Sequence, residues 1–191
     1  MVLQGVVIAY TKETAMALHS LPARPDFSEL RPRRNRPKRT ELGRCLHLID
    51  IENLVGTARP TAEQVASCRA EYESRFFEEG DIVVIAMNHG ALMAVSQAWP
   101  DARHEIRSGP DGADLALLDV IKHERVADRF VTVIIASGDG IFTDAAAWLG
   151  RQGVMTIVVA APESTANRLR LAATKTVELS TRIELNDELA S

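Results

Sequence analysis

From about residue 44 onward, short apolar runs alternate with stretches in which apolar residues recur every three or four positions. Continuous apolar runs are typical of strands buried on both faces of a parallel sheet, whereas the three- to four-residue spacing indicates amphipathic helices. The pattern predicts strands at 44–49, 81–87, 102–106, 131–136, 154–160 and 176–179, with helices between Thr61 and Gly80 and at 91–99, 113–124, 142–151 and 164–173. Strands that alternate with helices imply right-handed crossovers, so we expect an α/β fold with a mainly parallel sheet covered on both faces.

Composition limits the size and the compartment of the protein. At 191 residues and 46% hydrophobic composition, the chain can form one domain of ordinary size with a sizeable core. It has only two cysteines, Cys45 and Cys68, which excludes a disulfide framework and a four-thiolate metal site. The opening apolar run at 6–10 is far too short to span a bilayer. We therefore expect a soluble, cytoplasmic protein without a membrane partner.

Charge is divided along the chain. Residues 1–40 carry eight Lys and Arg against three acids, and the remaining residues carry fourteen against twenty-three. Six of these positive charges and two prolines lie in 31–40, a composition that predicts an extended segment. This segment could follow a phosphate backbone, or it could be a solvated linker. We expect an N-terminal extension at 1–43 with this basic Pro/Arg-rich linker, a folded domain at 44–181 and a C-terminal tail at 182–191. Within the first thirty residues the sequence predicts a weak strand and a weak helix.

Two predicted strands end in acids followed by turn-forming residues. Asp50 follows the first strand, and Asp139 lies in the sequence Ser137-Gly-Asp-Gly after the strand at 131–136. The carboxyl edge of an open α/β sheet is where sites form, and a buried carboxylate needs a cation or a hydrogen-bond network to compensate its charge. Asp50 and Asn53 could instead be a turn cap, and Ser137 and Asp139 could cap the next helix.

Further acids lie at helix starts. Asp111 is a candidate cap for the helix at 113–124, and Asp114 lies in its first turn. Asp119 is five residues from Asp114, about 140° around the helix axis, so Asp114 is the better ligand. Asp119 is expected either to support the ligands from outside the metal's own bonds or to pair with Lys122. Asp144 lies in the first turn of the helix at 142–151, where the macrodipole alone favours a carboxylate.

In this order, Asp50-x-x-Asn53, Gly112-Ala-Asp114 and Ser137-Gly-Asp139 resemble the motifs of an NYN domain of the PIN-like nuclease superfamily, over about residues 44–180. The resemblance implies a Rossmann-like three-layer sandwich that binds Mg²⁺ or Mn²⁺ and hydrolyses RNA as an endoribonuclease. It implies metal ligands at Asp50, Asp114, Asp139 and Asp144, catalytic roles for Asp50, Asn53, Asp114 and Asp139, and substrate contacts at Ser137, Arg168 and Arg170. Neighbouring carboxylates at such a site should raise one another's pKa.

The sequence departs from the family pattern at Ile141, where a second acid often follows Ser-Gly-Asp. Asp144 is the candidate replacement for that acid. Ile141 and the basic segment also favour an alternative, an RNA-binding or assembly module with weakened catalysis. A phosphohydrolase with an aspartyl nucleophile, suggested by Asp50-Ile-Glu52, fits poorly because the later Thr or Val and the lysine of such enzymes are missing. A homodimer that aligns two acidic sites is compatible with the sequence.

Overall fold

The computed structural model describes Phe27 and residues 43–179. Its strands are β1 (Cys45–Asp50), β2 (Ile82–Met87), β3 (Arg103–Ile106), β4 (Thr132–Ala136), β5 (Met155–Ala160) and β6 (Lys175–Glu178). Its helices are α1 (Ile51–Val55), α2 (Ala62–Phe76), α3 (Leu92–Ala98), α4 (Gly112–His123), α5 (Val126–Arg129), α6 (Thr143–Arg151) and α7 (Asn167–Ala172), with a 3₁₀ turn at Gly140–Phe142. The predicted basic segment at 31–40, the weak N-terminal strand and helix and the tail at 182–191 lie outside the described residues.

The six strands form one parallel sheet in the order β3-β2-β1-β4-β5-β6. Alternate residues of β1 point to opposite faces of this sheet: Leu46 and Leu48 join the core cluster on one face, and Ile49 joins the cluster on the other. Helices cover both faces, which confirms the predicted Rossmann-like three-layer α/β sandwich. In this strand order the chain reverses its direction of progress between β1 and β4, and a crevice opens there at the carboxyl edge.

The predicted strands and longer helices are present, with boundaries that differ by a few residues. Two short helices, α1 and α5, were not predicted because four or five residues are too few to show a helical period. α1 begins at Asp50, whose side chain caps it, and ends at Gly56, whose φ of 80° suits glycine. This short helix turns the chain away from β1 immediately beyond the sheet edge.

One residue of the predicted N-terminal extension packs into the core. Phe27 is buried, and its ring lies 6.1 Å from that of Trp148 on α6. The core of the described structure therefore includes a side chain that comes from before the predicted domain boundary.

Within the described part of the chain, no helix combines the length and the apolar character needed to cross a bilayer.

Candidate active site

The switch point of the sheet brings the two strand-end motifs together. β1 and β4 are neighbours, paired up to Ile49 and Ala136, so Asp50 and the loop at 137–139 emerge side by side. A cleft of about 650 Å³ opens at this edge and extends toward the loop before α4. Its polar lining includes Asp50, Glu52, Asn53, Arg59, Asn88, Arg107, Ser108, Asp111, Asp114 and Asp139.

Asp50 is both a helix cap and a cleft residue. Its Oδ1 accepts hydrogen bonds from the backbone N–H groups of Glu52 and Asn53, each at 3.2 Å. Burial raises the pKa of Asp50 to about 6, and the charge of Glu52 adds to this, although the bond from Asn53 opposes it. The two interpretations of Asp50 from the sequence are therefore compatible, because the cap fixes one oxygen of a carboxylate that lines the cleft.

Asp114 reaches the same cleft from the first turn of α4. Its side chain is buried, and its Oδ1 has no hydrogen-bond partner among the described residues. Burial raises the pKa of Asp114 to about 8, with further contributions from the charges of Asp50 and Asp139. The predicted mutual effect of the carboxylates contributes to this rise in pKa, but burial contributes more. A buried carboxylate oxygen without a donor is costly, and a cation is a group that can compensate it.

Asp139 completes the acidic cluster from the loop after β4. Its Oδ1 accepts from the backbone N–H of Ile141 at 2.8 Å, which caps the 3₁₀ turn. The preceding residue, Gly138, donates its N–H to Asn53 Oδ1 at 3.0 Å, so Asn53 ties α1 to this loop. Asn53 also lines the cleft, where its Nδ2 group is a hydrogen-bond donor.

Asp111 also lines the cleft, and its role differs from the predicted cap. It occupies the N-cap position of α4, but its side chain makes no capping hydrogen bond. Its backbone is left-handed, with φ of 53°, a conformation that non-glycine residues adopt at a cost and often at functional sites. Its charge adds to the rise in the pKa of Asp114. The sequence signal was its place in the Pro-Asp-Gly turn before Asp114.

Four predicted site residues are not part of the cleft lining; the first two are Ser137 and Asp144. Ser137 is fully buried, and its Oγ accepts from the backbone N–H of Asp139 at 3.3 Å. It therefore positions the loop and has no surface with which to contact RNA, which corrects the prediction of a substrate contact. Asp144 is exposed in the first turn of α6 and is not part of the cleft lining.

Two further residues considered from the sequence, Ile141 and Asp119, also lie outside the cleft lining. Ile141, at the position where the family often has an acid, is buried in the core cluster that includes Phe142 and Ala145. Asp119 pairs with Arg107, a residue of the cleft lining, at 3.0 Å, so of its two predicted roles the pairing with Lys122 is the one that the described residues do not show.

A second groove of about 550 Å³ lies on the β5 side and shares Asn53 and Asp139 with the cleft. Arg168 is not part of its lining, but it lies against Gly140, which is: a Cβ added to Gly140 would lie 2.5 Å from Arg168 Nε, so the guanidinium rests against the backbone next to Asp139. Arg170 is exposed on α7 and lines neither groove. Arg168 is thus beside the acidic cluster, whereas Arg170 is not.

Comparisons with known proteins bear on the family and the fold. A family model described as the NYN domain matches residues 46–180. The crystal structure of a protein of unknown function from Vibrio parahaemolyticus is similar, with a TM-score of 0.52 and 14% identity, over 74% of this chain and 96% of that chain. At that identity the likeness concerns the fold alone. None of the curated proteins matches the sequence.

Proposed function

The chain belongs to the NYN domain family, which has a PIN-like nuclease fold, and on that premise we propose that it is an endoribonuclease dependent on Mg²⁺ or Mn²⁺. RNA is the proposed substrate, and the cleft between the ends of β1 and β4 is the proposed place of phosphodiester hydrolysis. The observation that carries the proposal is the buried, unpartnered Oδ1 of Asp114 in a cleft that it shares with Asp50 and Asp139.

The chemistry of the donor set suits a hard divalent cation, although among the described residues these three carboxylates do not each bring an oxygen within 4.8 Å of the other two, so they would have to close around the ion. Asp50, Asp114 and Asp139 come from the end of β1, the start of α4 and the loop after β4, and all three offer carboxylate oxygens to one cleft. Mg²⁺ and Mn²⁺ prefer such oxygens. These three residues would hold the ion, which when bound supplies an activated water and neutralises charge on the phosphate oxygens.

The remaining side chains position the substrate. The two backbone bonds to Asp50 Oδ1 fix the orientation of that carboxylate before substrate arrives. Asn53, fixed through its Oδ1, presents its Nδ2 donor to a phosphate oxygen. Arg59 lines the cleft and Arg168 lies against Gly140 beside Asp139, and we assign both guanidinium groups to contacts with the phosphates next to the scissile one.

The proposal is tested by cleavage of end-labelled RNA with and without Mg²⁺ or Mn²⁺. We expect metal-dependent internal cleavage that falls by more than about a hundredfold in Asp114→Asn and in the double variant Asp50→Asn, Asp139→Asn. Asp101→Asn is the matched control, because Asp101 is 63% exposed and pairs with Arg69 outside the cleft. Cleavage by Asp114→Asn at the rate of this control would refute the site.

A second candidate function, an RNA-binding or assembly module with weakened catalysis, is favoured by one observation. The acid that the family often has after Ser-Gly-Asp is not replaced in the cleft: Ile141 at that position is buried in the core, and Asp144 is not part of the cleft lining. Calorimetric titration with Mn²⁺ separates the two functions. Binding that is lost in Asp114→Asn supports the nuclease; intact RNA affinity without Mn²⁺ binding at millimolar concentration supports the module.

A further inference from the structure

A second group of ligand-type side chains lies at the opposite, amino edge of the sheet. Cys45, His47 and Asp81 place one sulfur, nitrogen or oxygen atom each within 4.8 Å of one another. Cys45 and His47 are two residues apart on β1 and share a face of the sheet. Asp81 directly precedes β2, and its Oδ1 accepts from the backbone N–H of Cys45 at 2.9 Å. Asp50 is at the other end of β1, roughly 16 Å away by the rise of a strand.

We propose that Cys45, His47 and Asp81 form a zinc site that is separate from the acidic cleft. A thiolate, an imidazole and a carboxylate are ligands that Zn²⁺ takes together, whereas Mg²⁺ and Mn²⁺ avoid sulfur. Ligand atoms around one zinc ion lie roughly 3.5 Å apart at bond lengths of about 2.0 to 2.3 Å. The three atoms here are close enough to reach this spacing by small side-chain rotations.

The histidine has the outer partner that a metal ligand requires. Its Nδ1 lies 2.8 Å from the hydroxyl of Tyr72, and its Nε2 lies 3.1 Å from Asp81 Oδ2. Tyr72 is fully buried on α2, with its ring edge-on to the imidazole at 5.6 Å. A ligating histidine typically donates its second ring N–H to such a partner, which fixes the ring and its tautomer. Nε2 is therefore the nitrogen directed at the ion.

The charges around the cysteine suit a cation. Burial raises the pKa of Cys45 to about 12, and the charges of Asp81 and Glu78 contribute. The carboxylates of Asp81 and Glu78 attract a divalent ion, and a bound ion would stabilise the thiolate against the cost of its burial.

The position of the site assigns it a structural role. Its ligands join β1 to the start of β2, and the Tyr72 hydroxyl extends the connection to α2. Among the described residues that line the cleft and the second groove, none belongs to this group. Bound Zn²⁺ should therefore stabilise the fold without taking part in RNA cleavage.

The test uses the full chain, stripped with a chelator and titrated with Co²⁺ as a spectroscopic substitute for Zn²⁺. We expect one equivalent to produce the thiolate-to-cobalt charge-transfer band and the visible bands of a tetrahedral site whose fourth ligand is water, and Zn²⁺ to displace the cobalt. Cys45→Ser should abolish the charge-transfer band, and Tyr72→Phe should weaken binding by about tenfold. Asp114→Asn and Cys68→Ser should keep the band, because neither residue belongs to the site.

A melting curve with Zn²⁺ gives a second readout. We expect the melting temperature to rise by several degrees in the parent protein and not in Cys45→Ser, whose folding is checked by circular dichroism. The proposal is overturned if no charge-transfer band forms at millimolar Co²⁺, or if the band persists in Cys45→Ser. Asp114→Asn is expected to lose RNA cleavage and to keep the cobalt band. If the zinc site is refuted, the proposed nuclease function is therefore unaffected.

Discussion

Burial raises the pKa of Asp114 to about 8, and the neighbouring charges of Asp50 and Asp139 contribute to the rise. Since this folded-state pKa lies above the ordinary value of 3.8, the native protein binds the proton more tightly than the unfolded chain does. The stabilisation linked to this proton is fully present below about pH 4 and is lost as pH rises through 8. The charged side chain thus destabilises the metal-free protein in alkaline solution.

Asp114→Asn should therefore stabilise the metal-free protein in a pH-dependent way. The amide resembles the protonated acid, so we expect the melting temperature to rise at pH 8.5 and to rise clearly less at pH 5, where only a small part of the proton-linked stabilisation is lost. Thermal unfolding in the presence of a chelator measures both values. A lower melting temperature at pH 8.5, or the same change at both pH values, would contradict the electrostatic account of this residue.

Gly140 and Arg168 are coupled at the other side of the cluster. A methyl group at Gly140 would meet the end of a flexible side chain, Arg168 Nε at 2.5 Å, so the guanidinium can move away at small cost. We expect Gly140→Ala and Arg168→Ala to keep the fold and to raise KM for RNA several-fold with a smaller effect on kcat. Steady-state kinetics of both variants check this, and an unchanged KM in both would remove Arg168 from the substrate path.

At the scale of elements, the loop after β4 is held from two directions. Asn53 on α1 accepts the N–H of Gly138, and the carbonyl of Gly138 accepts from the N–H of Ala166 at 2.9 Å. A Cβ at Gly138 would lie 2.5 Å from the carbonyl oxygen of Ser164, which is backbone and has little freedom to yield. The glycine is therefore required by the close approach of two loops.

Gly138→Ala should destabilise the protein by about 1 to 3 kcal/mol, because one of the two loops must shift. Gly150→Ala is the matched control: Gly150 lies in α6 with no atom within 4 Å of an added Cβ, so stabilisation by about 0.5 to 1 kcal/mol is expected. Urea unfolding of the two variants measures the difference. Equal effects of the two substitutions would mean that the loops do not constrain each other.

The elements differ in how far the sequence predicts them. β1 and β4 could be predicted because continuous apolar runs identify buried strands, and their parallel arrangement puts Asp50 and Asp139 at one edge. α1 could not be predicted, because five residues are too few to show the 3.6-residue period of a helix. The sequence predicts Asp111 as a helix cap because it directly precedes the helix. Its left-handed backbone instead frees the carboxylate from the helix end, and composition does not encode that loop geometry.

At the scale of the whole molecule, the order of strands and helices along the chain predicts the fold and the place of three acids, Asp50, Asp114 and Asp139, in one cleft. It does not predict how much of the chain belongs to the folded unit. Asp144 has the sequence position of a ligand, yet the helix that carries it leaves it exposed outside the cleft. Phe27, from the predicted extension, is buried against Trp148. Both outcomes depend on packing between segments that are distant in sequence, which local patterns do not report.

Phe27→Ala should therefore destabilise the whole domain. Truncation of a buried phenylalanine costs about 3 to 5 kcal/mol, so we expect a clear loss in chemical unfolding of the full chain. Leu171→Ala, at a side chain that is 87% exposed, is the control and should change stability by less than about 0.5 kcal/mol. If the two variants unfold at the same denaturant concentration, Phe27 does not belong to the core.

The central claim is that Asp50, Asp114 and Asp139 hold one divalent ion at the switch point of the sheet. Anomalous diffraction from crystals soaked in Mn²⁺ tests it most directly. We predict a manganese peak in the cleft at about 2.1 Å from a carboxylate oxygen of each of the three residues, and its absence in Asp114→Asn crystals. A cleft without a manganese peak at millimolar Mn²⁺, or a peak bonded to none of the three, would contradict the account.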